Sequence, residues 1–125
     1  LEHSTMSTIL IVDDHSDIRR LLAVTLGKEY EVLESEDGVR ALEAVRHHHP
    51  KFVLLDVMMP GELDGLQVLD AIKADPATQD TLVIMVTARG QAADSDDARR
   101  RGADAYFIKP FSPLQVVAWI RGQSK

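Results

Sequence analysis

Short apolar runs alternate with amphipathic stretches along the whole chain. Ile9-Leu10-Ile11-Val12 is apolar, rich in β-branched residues and ends in Asp13-Asp14, which predicts a strand buried on both faces. From Asp17 to about Gly27, Ile18, Leu21, Leu22, Thr25 and Leu26 recur at helical spacing, with Ser16 as the expected N-cap and Gly27 as the stop. A second strand is predicted over Tyr30 to Leu33. A second helix follows over Gly38 to His48, with Val39, Leu42 and Val45 inward, and Pro50 keeps it from continuing. Phe52 to Asp56 reads as the third strand, and Gly65 to Ala74 as a third helix with Leu66, Leu69 and Ile72 inward, broken by Asp75-Pro76. The remaining elements are a strand at Leu82 to Val86, a helix at Gln91 to Arg101, a strand at Ala105 to Ile108 and a helix at Leu114 to Ile120.

Five strands alternating with five helices predict an α/β domain: a doubly wound parallel sheet with helices on both faces and right-handed crossovers. In such sheets ligands bind in the crevice at the C-terminal ends of the strands. That rule gathers the polar residues into one place. Asp13 and Asp14 end the first strand, Asp56 the third, Thr87 the fourth and Lys109 the fifth. Asp56 closes an oily run, and a carboxylate there is costly to desolvate unless it is paired or binds a metal.

Composition narrows the chemistry. A chain of 125 residues is one domain's worth. Its net charge of −6 argues against direct nucleic-acid binding, which needs clustered cations, and no apolar run is long enough to span a membrane. Arg99-Arg100-Arg101 reads as a solvated helix end, where cations suit the dipole. Without cysteine there is no disulfide, Cys-bound zinc or thiol nucleophile, which fits a cytoplasmic location. Residues 1–5 precede Met6 and lack both a basic and an apolar segment. They read as an engineered remnant rather than a signal peptide, leaving 6–125 as a single domain.

Three carboxylates at one edge repel one another unless a cation compensates, and a hard oxygen-seeking ion is the natural partner. Magnesium fits, since it takes a few carboxylates and shares its site with phosphate oxygens; Mn2+ could substitute. The lack of cysteine and of histidine at the strand ends disfavours zinc and copper. His15 reads as a solvated loop side chain, and His47-His48-His49 as a helix end whose adjacent rings point apart. Lys109 and Thr87 offer a cationic donor and a hydroxyl donor to phosphoryl oxygens, and a carboxylate can itself accept a phosphoryl group. The residues alone therefore reach a magnesium-dependent aspartyl-phosphate site. Trp119 reads as packing in the last helix.

These same segments carry a resemblance. Ile11-Val12-Asp13-Asp14, Leu55-Asp56-Val57-Met58-Met59-Pro60, Val86-Thr87-Ala88 and Gly102-Ala103-Asp104-Ala105-Tyr106-Phe107-Ile108-Lys109-Pro110-Phe111 resemble the receiver domain of two-component response regulators, over about residues 8–120. The resemblance implies a flavodoxin-like sheet of order 2-1-3-4-5. It implies that Asp56 is the phosphoacceptor, supplied by the phosphohistidine of a histidine kinase or phosphotransfer protein. It implies that Asp13, Asp14, Asp56 and the Met58 backbone carbonyl hold Mg2+, that Thr87 and Tyr106 are the switch pair, that Lys109 is the cationic partner, and that Lys109-Pro110 is a cis peptide. The face made by the fourth helix, fifth strand and fifth helix would then be read by a downstream output domain or protein, or by a second copy. The implied protein is a bacterial, cytoplasmic phosphorelay switch rather than a turnover enzyme, limited to its own phosphotransfer and autodephosphorylation.

Two departures and two rival readings stand beside it. The loop Pro60-Gly61-Glu62-Leu63-Asp64-Gly65 is one residue longer than the commonest family pattern, a change that a surface loop absorbs cheaply. Met58 and Arg89 hold positions that modulate phosphoryl hydrolysis in the family, and they are expected to hinder or orient water here. A magnesium-dependent phosphohydrolase would want an acid where Met58 stands, which argues against that reading. A binding module that is never phosphorylated is disfavoured because no site residue is missing. With no output domain visible, the chain is expected either to dock alone or to be part of a longer protein.

Overall fold

The computed structural model describes residues 7–57, 61–88 and 92–123. Strands β1 (Thr8–Val12), β2 (Glu31–Ser35), β3 (Phe52–Asp56), β4 (Leu82–Thr87) and β5 (Ala105–Ile108) alternate with helices α1 (Ser16–Leu26), α2 (Gly38–His48), α3 (Gly65–Ala74), α4 (Ala92–Arg100) and α5 (Pro113–Gln123). All pairings are parallel, in the order β2-β1-β3-β4-β5. The expected flavodoxin-like topology is the one observed.

The period of two along each strand sorts the core into two layers. Leu10, Val12, Val53, Leu55, Val83 and Met85 face α2 and α3, where Ala41, Leu42, Val45, Val68, Leu69 and Ile72 close over them. Ile9, Ile11, Phe52, Leu54, Ile84 and Val86 face the other way, against Leu22 and Leu26 of α1 and Val116, Val117 and Ile120 of α5. Trp119 packs against this second layer, as expected. Tyr30 meets Phe52 edge-on at 6.0 Å.

Some expectations shift by a residue or a face. Tyr30 precedes β2 rather than starting it, and its ring fills the core beneath the strand's entrance. Leu21 and Val39 point to solvent, while Ala41 and Val68 take inward positions, because each helix buries a narrower stripe than its apolar residues suggest. Ser16 does not cap α1. The N-cap is His15, which makes no side-chain capping bond; instead the Asp13 carboxylate accepts from the His15 backbone N–H at 2.8 Å.

Helix α3 starts on a capping box: Asp64 accepts from the Gln67 N–H at 2.9 Å, and the Gln67 side chain accepts from the Asp64 N–H at 2.9 Å. The lengthened loop therefore delivers the chain to a fixed helix start. Among the described residues no helix is long and apolar enough to cross a membrane.

Candidate functional site

The strand ends bring the predicted residues together. Asp56 is the last residue of β3, lies opposite Val86 of β4 and is 3% exposed. Asp13 follows β1, held to the edge strand by its N–H donating to the Ser35 carbonyl at 3.3 Å. Lys109 follows β5, tied to β4 by its N–H donating to the Thr87 carbonyl at 2.7 Å. Its ammonium reaches back over β4 to donate to Asp13 Oδ2 at 2.9 Å and Asp56 Oδ2 at 3.0 Å. The Lys109–Pro110 peptide is cis, as the resemblance implied.

One lysine thus bridges two buried carboxylates. Burial works to lower its pKa, but the hydrogen bonds and charges of Asp13 and Asp56 outweigh that, and the net displacement is upward. Lys109 therefore stays an ammonium at any physiological pH. The arrangement is a pre-set pair of anions and one cation, into which a further anionic group can enter only if more positive charge comes with it.

The acids also offer that second cation a place. One oxygen each from Asp13, Asp14 and Asp56, together with a ring nitrogen of His15, lie within 4.8 Å of one another. Three carboxylate oxygens suit a hard divalent ion, so the residues present fit magnesium. Met58, whose carbonyl was expected to join them, lies outside the described residues, as does Arg89.

Thr87 is fully buried at the end of β4. Val83 and Met85, on the same strand parity, belong to the layer covered by α2 and α3, so Thr87 shares that side of the sheet. Tyr106 pairs with Met85 and packs against the same layer, one diagonal step behind Thr87. The two expected switch residues are neighbours on one face.

Three features were missed in the sequence. His15, expected to be a solvated side chain, does expose its ring, but Nδ1 lies 2.9 Å from Asp13 Oδ1 and 3.1 Å from Asp14 Oδ1. His15 is the N-cap of α1 rather than a strand-end residue, and the Asp13 side chain, accepting from its N–H, turns the backbone so that the ring meets the acidic pair. Arg19 donates from Nη1 to the Asp13 carbonyl at 2.6 Å and from Nε to Glu34 at 3.2 Å, clamping the acidic turn to β2. A cation near a helix N-terminus works against the dipole, and that was the signal to look for. Gly65 presses on the end of β3, where an added Cβ would lie 2.7 Å from the Val57 Cα and against the Asp56 carbonyl.

Elsewhere the surface basic run behaves as expected. Arg99 and Arg100 are exposed, and Arg101 pairs with Asp97 at 3.2 Å and Asp70 at 2.9 Å. His47 and His48 are exposed at the end of α2, and His49 is its left-handed cap.

Comparison with known proteins points the same way. The profile of the response regulator receiver domain matches residues 9–121. A probable transcriptional regulator, ycf27, of Cyanophora paradoxa is 44% identical over 114 residues, 90% of this chain and 46% of that protein. The phosphate regulon transcriptional regulatory protein PhoB of Pseudomonas aeruginosa is 40% identical over 91% of this chain and 50% of its own length. The chain spans about half the length of the curated relatives it matches. Among solved structures, a putative response regulator from Chloroflexus aurantiacus superposes with a TM-score of 0.86 at 30% identity, covering 94% of this chain and 97% of that one. The chemotaxis protein CheY4 of Vibrio cholerae gives a TM-score of 0.85 at 26% identity, over 94% and 98% of the two chains.

Proposed function

The chain belongs to the response regulator receiver domain family, and from that premise we propose that it is a phosphorylation-dependent switch in which Asp56 is the phosphoacceptor. The observation that carries this reading is the Lys109 bridge between Asp56 and Asp13 beside a cluster of oxygen donors. The donor is the phosphohistidine of a histidine kinase or a phosphotransfer protein. A carboxylate oxygen of Asp56 attacks phosphorus, the P–N bond breaks, and the imidazole of the donor leaves with the electron pair. A divalent ion, Mg2+ or Mn2+, held by Asp13, Asp14, Asp56 and the Met58 carbonyl, would offset the charge of the phosphoryl oxygens.

Phosphorylation adds about −1.5 to −2 charges and strong acceptor oxygens. Lys109, already an ammonium against Asp56, keeps its place and exchanges a carboxylate partner for a phosphoryl one. The Thr87 hydroxyl turns toward the new acceptor, and Tyr106, behind it on the same face, fills the space it leaves. The change reaches the surface of α4, β5 and α5, where Ile108 and Leu114 are exposed apolar groups that an output domain or a second copy of the chain would cover. The domain catalyses only its own phosphotransfer and autodephosphorylation; it turns over no external substrate.

The experiment is incubation with acetyl phosphate and Mg2+, followed by intact mass measurement. One acid-labile phosphoryl adduct is expected in the native protein and none in Asp56→Asn. Steady hydrolysis of an external phosphoester would instead make it a phosphohydrolase, and the absence of any adduct would make it a binding module.

A further inference from the structure

Asp13 uses its two oxygens on opposite sides. Oδ2 accepts from Lys109 at 2.9 Å, while Oδ1 faces the His15 ring nitrogen at 2.9 Å. Nδ1 of His15 is also 3.1 Å from Asp14 Oδ1, so one edge of an otherwise exposed imidazole meets both adjacent carboxylates. Its place is set by the backbone, since the His15 N–H is held by the same Asp13 oxygen. The remaining carboxylate, Asp56, brings its oxygen within the same 4.8 Å span. A cation drawn to the three acids meets a nitrogen donor as well.

We infer that His15 is a ligand of the cation site and shifts its preference from magnesium toward first-row transition ions such as Co2+. The inference rests on the reading of this pocket as a divalent cation site. Magnesium gains little from imidazole, because it binds oxygen donors and parts reluctantly with its water. Imidazole suits later first-row ions, whose affinity for mixed nitrogen and oxygen sites rises along the series from Mn2+ to Cu2+. A pocket of three carboxylate oxygens and one imidazole nitrogen therefore separates these ions from magnesium more strongly than carboxylates alone. The side chain is 62% exposed, so replacing it changes the donor set without opening the core.

The test uses the whole chain and Mn2+ as the reporter, with free Mn2+ followed by electron paramagnetic resonance. Mg2+ and Co2+ are each titrated in to displace it, with free Co2+ fixed by a metal buffer so that uptake by His47, His48 and His49 does not count. Co2+ should displace Mn2+ from the native protein at concentrations about a hundredfold below those of Mg2+. In His15→Ala the ratio of Co2+ to Mg2+ displacement should shrink about tenfold, with the melting temperature unchanged. Mn2+ binding with the same Co2+ to Mg2+ ratio in both proteins would overturn the role of His15 and leave the cation site standing. No Mn2+ binding by the native protein would overturn the site itself and this inference with it.

Discussion

Lys109 donates to Asp56 at 3.0 Å by reaching across β4, the strand that separates their own. The same ammonium holds Asp13 at 2.9 Å, so a single side chain fixes the relative positions of the first, third and fifth strand ends.

Replacing Lys109 with Met keeps the length of the stem and removes the charge. Two buried carboxylates then face each other without a cation, and stability at neutral pH should fall by about 1–3 kcal/mol in denaturant titrations. The rate of Asp56 phosphorylation should fall further, on the order of 10²-fold, because the donor to the transferring oxygens is lost. An unchanged phosphorylation rate would remove Lys109 from the reaction.

The raised pKa of Lys109 fixes the sign of a pH dependence. In the unfolded chain the amine titrates near its ordinary 10.5, and in the folded protein it titrates higher. The native state thus holds the proton more tightly, and its contribution is fully present below the unfolded pKa and is lost as pH rises through the folded one. Unfolding midpoints measured upward from about pH 10 should decline more steeply for the native protein than for Lys109→Met. Parallel curves would show that the bridge contributes nothing to stability there.

Arg19 holds the Asp13 carbonyl and Glu34 together, and so sets the turn that presents Asp13, Asp14 and His15. Arg19→Ala should weaken Mn2+ binding about tenfold, as losses behind metal ligands do. Arg19→Lys should recover part of it. A core variant of matched stability loss, such as Val45→Ala, should bind Mn2+ normally; equal weakening in both would reduce Arg19 to a general stabilising contact.

Gly65 is constrained by space, since any Cβ would strike the backbone of Asp56 and Val57. Gly65→Ala should cost about 1–3 kcal/mol and displace the end of β3. The amide resonances of Asp56 and Val57 should move in a nitrogen–proton correlation spectrum, whereas those of β2 should stay in place.

The strands and the convergence of Asp13, Asp56, Thr87 and Lys109 were legible because buried parallel strands are unbroken apolar runs and their polar ends must share one edge. Strand β3, helix α2 and helix α3 fall where the pattern put them. Which apolar side chains would stay outside was not legible, as Leu21 and Val39 show, because helical spacing marks a face without giving its width. Arg19, His15 and Gly65 were missed for a common reason. Each acts through a backbone group or a neighbour that only the folded turn brings near, and no periodicity records that.

Chemical localisation of the phosphoryl group tests the central claim most directly. The protein is treated with acetyl phosphate and Mg2+, reduced with borohydride so that an acyl phosphate becomes the corresponding alcohol, and digested for peptide mass spectrometry. The account predicts one modified residue, with Asp56 converted to homoserine, and no conversion when the phosphodonor is omitted. Conversion at Asp13 or Asp14, or an unmodified Asp56 under conditions that leave the fold intact, would contradict it.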